Sequence, residues 1–126
     1  MPASSAQVAV SFDAYQAKLN TQLYQKMFAE QKLYRAGLLL LPPTEILNHA
    51  YEYVCRENIL LSLEYNDLSS RQAKVLLNSP TPLADVFQKL ENTGGSITLD
   101  HIWNAVEARA NEVIRAKFIE SRRDAR

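Results

Sequence analysis

Apolar residues recur every three or four positions along most of this chain, the period of an α-helix with one buried face. Tyr15, Leu19, Leu23, Met27, Phe28, Leu33 and Tyr34 define a first helix over about 12–40, with Ser11 or Asp13 placed to accept from the free amides of its first turn. Gly37 and the Leu38–Leu41 run mark its end, and the Leu run is expected to plug the core. Pro42-Pro43 cannot continue a helix and forces an extended link. Ile46, Leu47, Ala50, Tyr51, Val54 and Cys55, continued by Ile59, Leu60 and Leu63, trace a second helix over about 44–65. Thr44 is its expected N-cap, and Glu45 meets the positive end of the helix dipole. The pattern leaves a break near Arg56-Glu57-Asn58 open, but no Gly or Pro demands one, so the reading is one helix.

Asn66-Asp67 is turn chemistry, and Ser69 with Gln72 three residues later is a capping box opening a short helix over about 69–78. Thr81 and Pro82 then start a helix over about 82–92 with Leu83, Val86, Phe87 and Leu90 inward. Gly94-Gly95 makes the most flexible internal joint. A last long helix over about 99–121, capped by Thr98, carries the stripe Leu99, Ile102, Trp103, Val106, Ala110, Val113, Ile114 and Phe118. These elements predict an all-α fold: a compact bundle of about five helices forming a single domain over 11–126, after a mobile N-terminal tail over 1–10. Leu47, Tyr51, Val54, Leu76, Phe87, Trp103 and Val106 are expected to be buried together.

Composition narrows the class. The 126 residues are 47% hydrophobic and 22% charged, which suits a folded globular chain rather than a disordered one. No run of about 18 apolar residues exists to span a membrane, and the first residues lack the pattern of a signal peptide. Cys55 is the only cysteine, so no intrachain disulfide forms; a reducing, cytoplasmic setting fits, with Cys55 a buried inert thiol.

Catalytic chemistry is sparse. His49 has Glu45 and Glu52 at helical spacing, but a zinc site asks for Cys or His in at least two positions, so the trio reads as a surface charge cluster. There is no Gly-x-Ser-x-Gly elbow and no phosphate loop; Gly94-Gly95-Ser96 lacks a preceding strand and a following Lys. No catalytic residue, metal or cofactor is expected, and the chain is read as a non-enzyme.

Charge is segregated although the formal net charge is zero, a balance that disfavours a strongly basic nucleic-acid binder. Between Pro42 and Leu68 stand Glu45, Glu52, Glu57, Glu64 and Asp67 against Arg56 alone. The C-terminal helix carries Arg109, Arg115, Lys117, Arg122 and Arg123. Either these helices pack as complementary neighbours, or the acids form an exposed face, with Tyr53 beside them, that meets a basic partner. The expected partner is a protein, such as the basic groove of a host nucleoprotein. The alternative is nucleic acid bound through Arg109, Arg115, Lys117, Arg122 and Arg123. Oligomeric state turns on Ile114 and Phe118: a monomer if the first helix shields them, a homodimer through the C-terminal helix if it packs on the second instead.

The stretch from Thr44 to Ala84 resembles a family of short domains of unknown function from clostridial bacteria and their mobile elements. The likeness rests on Ile46, Ala50-Tyr51-Glu52, Glu57-Asn58-Ile59-Leu60, Leu63-Glu64, Leu68-Ser69, Ala73, Leu76-Leu77 and Pro82-Leu83, with Leu23-Tyr24-Gln25-Lys26-Met27 fitting the opening helix. The resemblance implies no established activity, catalytic residue or cofactor. It implies accessory cargo of integrative elements or phages, where small proteins block host machinery, hence an inhibitor of a host defence protein in the manner of an anti-CRISPR.

Overall fold

The computed structural model describes residues 5–94 and 98–124, and every element among them is an α-helix: α1 Ser5–Leu38, α2 Pro43–Asn48, α3 Ala50–Tyr65, α4 Ser70–Leu77, α5 Pro82–Asn92 and α6 Leu99–Asp124. The all-α bundle expected from periodicity is present, with six helices in place of five. α1 begins at Ser5, so residues 5–10, assigned above to a tail, are helical; residues 1–4 and the Gly95 half of the glycine joint lie outside the described residues.

The second predicted helix is two helices. The chain breaks at His49, whose backbone (φ −103°, ψ 2°) lies off the helical line, and residues 56–58 run unbroken inside α3. Pro42, rather than Thr44, is the residue before the first helical turn, and Pro43 occupies its first position, where a missing amide proton is harmless. α2 buries none of its residues and packs on α3. The buried face differs from the predicted stripe: in α3 it is Cys55, Arg56, Ile59, Leu60, Ser62 and Leu63, while Tyr51 and Val54 of α3, and Leu47 across the break on α2, are exposed.

Short-range signals fared better. Ser69 Oγ accepts from the Gln72 amide (3.1 Å) while Gln72 Oε1 accepts from the Ser69 amide (3.0 Å), closing the capping box of α4. Pro82 opens α5 as expected, but Thr81 makes no side-chain cap. The α5 amides of Leu83 and Ala84 instead donate to the Glu30 carboxylate on α1, at 2.8 and 2.9 Å. The Thr98 hydroxyl accepts from the His101 amide (3.3 Å) at the start of α6.

The core joins Leu23 and Met27 of α1, Ile59 of α3, Leu76 of α4, Leu83, Val86 and Leu90 of α5, and Ile102 and Val106 of α6. Phe87 and Trp103 are half-buried against it. Of the seven side chains expected to share the core, Leu76 and Val106 are fully inside, and Leu47, Tyr51 and Val54 are corrected to the surface. α4 and α5 each pack against both α1 and α6, and α3 packs on α1, α5 and α6. Polar ties set the register. Gln16 and Asn20 hold the Leu68 peptide at the entrance to α4, and Lys26 Nζ donates to the Leu77 carbonyl at its exit (2.7 Å). On its other side, Arg71 and Val75 near the start of α4 share a hollow with Ile114, Lys117, Phe118 and Ser121 of α6. The start of α1 and the end of α6 therefore leave the bundle at the same end. No helix among the described residues is long and apolar enough to cross a membrane.

Candidate interaction surface

The acids expected to form one face are distributed over three settings. Glu45 is exposed on α2. Glu52 is half-buried and engaged: Arg56 reaches its Oε2 through Nη2 at 2.7 Å and Nε at 2.9 Å. Glu57, Glu64 and Asp67 lie where α3 and its exit run beside α1. Glu57 accepts from Gln31 Nε2 (3.0 Å), and Glu64 accepts from the Tyr24 hydroxyl (2.8 Å). That bond, with partial burial, pushes the Tyr24 phenol above its ordinary range. Tyr53 is half-buried at the edge of a different surface. The Glu45–His49–Glu52 trio is broken up, since His49 sits at the α2–α3 break and Glu52 is held by Arg56. Among the described residues, no three His, Cys, Asp or Glu side chains are grouped to share a metal ion.

The basic set also divides. Arg109 is turned into the bundle, with Nη1 2.6 Å from Glu112 and Nη2 3.8 Å from Asp85, and Lys89 reaches Glu112 at 2.7 Å. These two cations hold the Glu112 carboxyl below the usual carboxylate range. Arg115, Lys117, Arg122 and Arg123 are exposed on the last turns of α6, where the Arg122 guanidinium lies 5.8 Å from the centre of the Phe118 ring. Arg109 is therefore occupied, and the other four are free to meet an anion.

Two features were missed at the level of sequence. Arg56, only 7% exposed, is a buried cation linking α3 to α1: it pairs with Glu52 of α3, lies 3.7 Å from Glu30 of α1, and stacks 4.1 Å from the centre of the Tyr34 ring of α1. Its signal was the Glu52 carboxylate four residues earlier. The second is an apolar groove of about 340 Å³ between the end of α1, α2 and the start of α3, lined by Leu38, Leu39, Ile46, Leu47, Ala50 and Val54, with Arg35 and Tyr53 at its rim. Leu39 (65%), Leu47 (73%) and Val54 (52%) are more than half exposed. The Leu38–Leu41 run does not plug the core as a unit: Leu38 is buried, but Leu39 and Leu40 stand in solvent. The available signal was apolar density on both sides of Pro42-Pro43, in a link too short to turn all of it inward.

Comparison with known proteins bears on the bundle. A protein family of unknown function, DUF3848, matches residues 19–114, and the chain belongs to it. No curated protein and no solved structure matches. The match begins at Leu19, the first buried position among the described side chains of α1, and ends at Ile114, after which every α6 side chain through Arg123 is exposed. The family unit is thus the packed bundle, without the outer turns of α1 and α6.

Proposed function

We propose that this DUF3848 chain is a non-enzymatic protein-binding module that holds an apolar segment of a partner in the α1–α2–α3 groove. The observation that carries this reading is the contiguous exposure of Leu39, Leu47 and Val54 around one depression. Soluble domains seldom leave such a patch uncovered without a partner for it. The groove fits an amphipathic helix laid with its apolar face inward, and the Arg35 side chain at the rim suits a carboxylate on that helix. Leu47 and Val54 supply the anchoring contacts, and Tyr53 adds a rigid aromatic wall.

The finer reading is an inhibitor carried by a mobile element and directed at a host protein. Its support is the resemblance described above. A second reading, nucleic-acid binding by the free α6 cations Arg115, Lys117, Arg122 and Arg123, is favoured by their exposure beside Phe118. Salt separates the two: phosphate binding weakens steeply with ionic strength, and apolar groove binding does not. The decisive experiment retains partners from a bacterial lysate on the wild-type chain and on a Leu47→Asp, Val54→Asp variant. The protein that differs is identified by mass spectrometry, and its affinity is then measured with purified components. Equal affinity for both chains overturns the groove reading.

A further inference from the structure

Past Ile114, α6 continues as an arm through Asp124, about 15 Å at 1.5 Å per residue. Its side chains from Arg115 to Arg123 are all exposed, including Phe118 (55%) and Ile119 (47%). Basic side chains outnumber acidic ones on it: Arg115, Lys117, Arg122 and Arg123 against Glu120 and Asp124. A shallow hollow lined by Phe118, Ile119, Arg122 and Arg123 shows that two of the cations and the two large apolar groups share one side of the helix. α1 does not shield this arm, whose side chains are exposed, while α4 packs on both α1 and α6.

At the same end of the bundle a groove of about 320 Å³ runs between α1 and α3. Ala17, Asn20, Thr21 and Tyr24 form one wall, Leu63 and Glu64 the other, and Asp67 stands at its mouth. Both ionisable carboxylates are exposed, and no Lys or Arg lines the groove. The apolar members of its walls, Ala17 and Leu63, complement Phe118 and Ile119, while its acids complement Arg122 and Arg123.

We propose that the α6 arm docks in the α1–α3 groove of a second copy, and that the arm of that copy docks in return. The arm and the groove lie toward the same end of the molecule, and reciprocal exchange about a two-fold axis there would make the two contacts identical and close the assembly. Side-by-side pairing of the two arms is disfavoured, since it would bring Arg115, Lys117, Arg122 and Arg123 of one copy beside those of the other. The assembly lies at the far end of the bundle from the apolar groove at Leu39 and Leu47, so either surface can act without the other.

The test is sedimentation equilibrium across protein and salt concentration, with circular dichroism confirming that each variant is folded. Wild type is expected to dimerise at low salt and to weaken as salt rises, because opposite charges at a rim act through a screened field. Arg122→Glu with Arg123→Glu, and separately Glu64→Arg with Asp67→Arg, should each weaken association by about tenfold or more. A chain carrying all four substitutions should recover it, because the charges are exchanged rather than removed. A wild-type chain that stays monomeric up to millimolar concentration overturns the proposal, and retention of a nucleic-acid duplex by that monomer would assign the arm to phosphate instead. A dimer untouched by both reversals, or reversals that the four-fold variant does not rescue, also overturns it.

Discussion

Asn20 binds the Leu68 peptide as a neighbouring strand would: its Oδ1 accepts from the Leu68 amide and its Nδ2 donates to the Leu68 carbonyl, both at 2.9 Å. Leu68 is fully buried at the one point where α3 hands over to α4, and no helix there can satisfy its backbone. One side chain on α1 thus fixes where α4 starts, and through α4 the position of α6.

Asn20→Ala should cost about 2–3 kcal/mol, because the buried Leu68 amide is left without an acceptor. Gln16→Ala should cost about 1 kcal/mol or less. Gln16 Nε2 donates to the Leu68 carbonyl at 2.7 Å, but that oxygen keeps Asn20 as a second donor. Urea unfolding of the two variants measures the difference, and equal losses would remove Asn20 from its special position.

Glu30 gives a second test of long-range capping. Its carboxylate holds the Leu83 and Ala84 amides at the positive end of α5 and lies 3.7 Å from Arg56. Glu30→Ala should lower stability by roughly 2–4 kcal/mol, since it strips two amides and leaves Arg56 with Glu52 alone. Thr81→Ala, at the position that local rules nominate as the cap, should change stability by about 0.5 kcal/mol or less. Thermal or urea unfolding of both variants checks the order, which reverses if local capping dominates.

These two ties show where sequence reading reached its limit. Ser69–Gln72 and Pro82 were legible because each acts on atoms within one helical turn. Asn20 with Leu68, and Glu30 with α5, join polar residues about 50 positions apart whose partner atoms are backbone groups, so no spacing announces them. The α2–α3 break misled for a related reason. Periodicity places Leu47 on one stripe with Cys55 only while the helix is straight, and the turn at His49 separates α2 from the line of α3; Tyr51 and Val54 lie on α3 itself, beside its buried face, and are left exposed there. The apolar groove was visible as apolar residues but assigned inward, because solvent-facing and core-facing leucines carry the same letter. Of the basic side chains of α6 named in the sequence, Arg115, Lys117, Arg122 and Arg123 are exposed, whereas Arg109 is held by Asp85 of α5 and Glu112 of α6, a pairing that only the packing of the two helices creates.

Cys55 should be inert in the native state. It is 1% exposed, and burial pushes its thiol above the ordinary range, so both access and thiolate fraction are low. Reaction with an aromatic disulfide reagent should proceed only through opening of the bundle, and should accelerate in denaturant in parallel with unfolding. Fast reaction in buffer alone would place Cys55 at the surface.

Acid should weaken the α5–α6 contact. Hydrogen bonds from Lys89 and Arg109 lower the Glu112 pKa in the folded state, so its contribution is present above the unfolded carboxyl value and is lost as pH falls through the folded one. The side chain is 45% exposed, so screening holds the effect below about 1 kcal/mol. Glu112→Gln should flatten the loss of stability between about pH 5 and pH 3, and added salt should shrink the difference between the variant and wild type. Parallel pH profiles for the two chains would show that Glu112 contributes nothing to acid sensitivity.

The most direct test of the revised core contrasts two leucines on neighbouring helices. Leu63 is 9% exposed and belongs to the buried cluster, whereas Leu47 is 73% exposed on α2, which buries nothing. Leu63→Ala should therefore cost about 2–5 kcal/mol through lost contacts and the cavity left behind. Leu47→Ala should stay within about 0.5 kcal/mol, and Leu47→Asp should leave the melting temperature nearly unchanged while removing one anchor of the apolar groove. Had Leu47 shared the core, as its place in the 46–55 stripe suggested, Leu47→Asp would bury a carboxylate and unfold the chain. A folded Leu47→Asp chain that no longer binds the partner of wild type would show that the side chain serves recognition rather than stability.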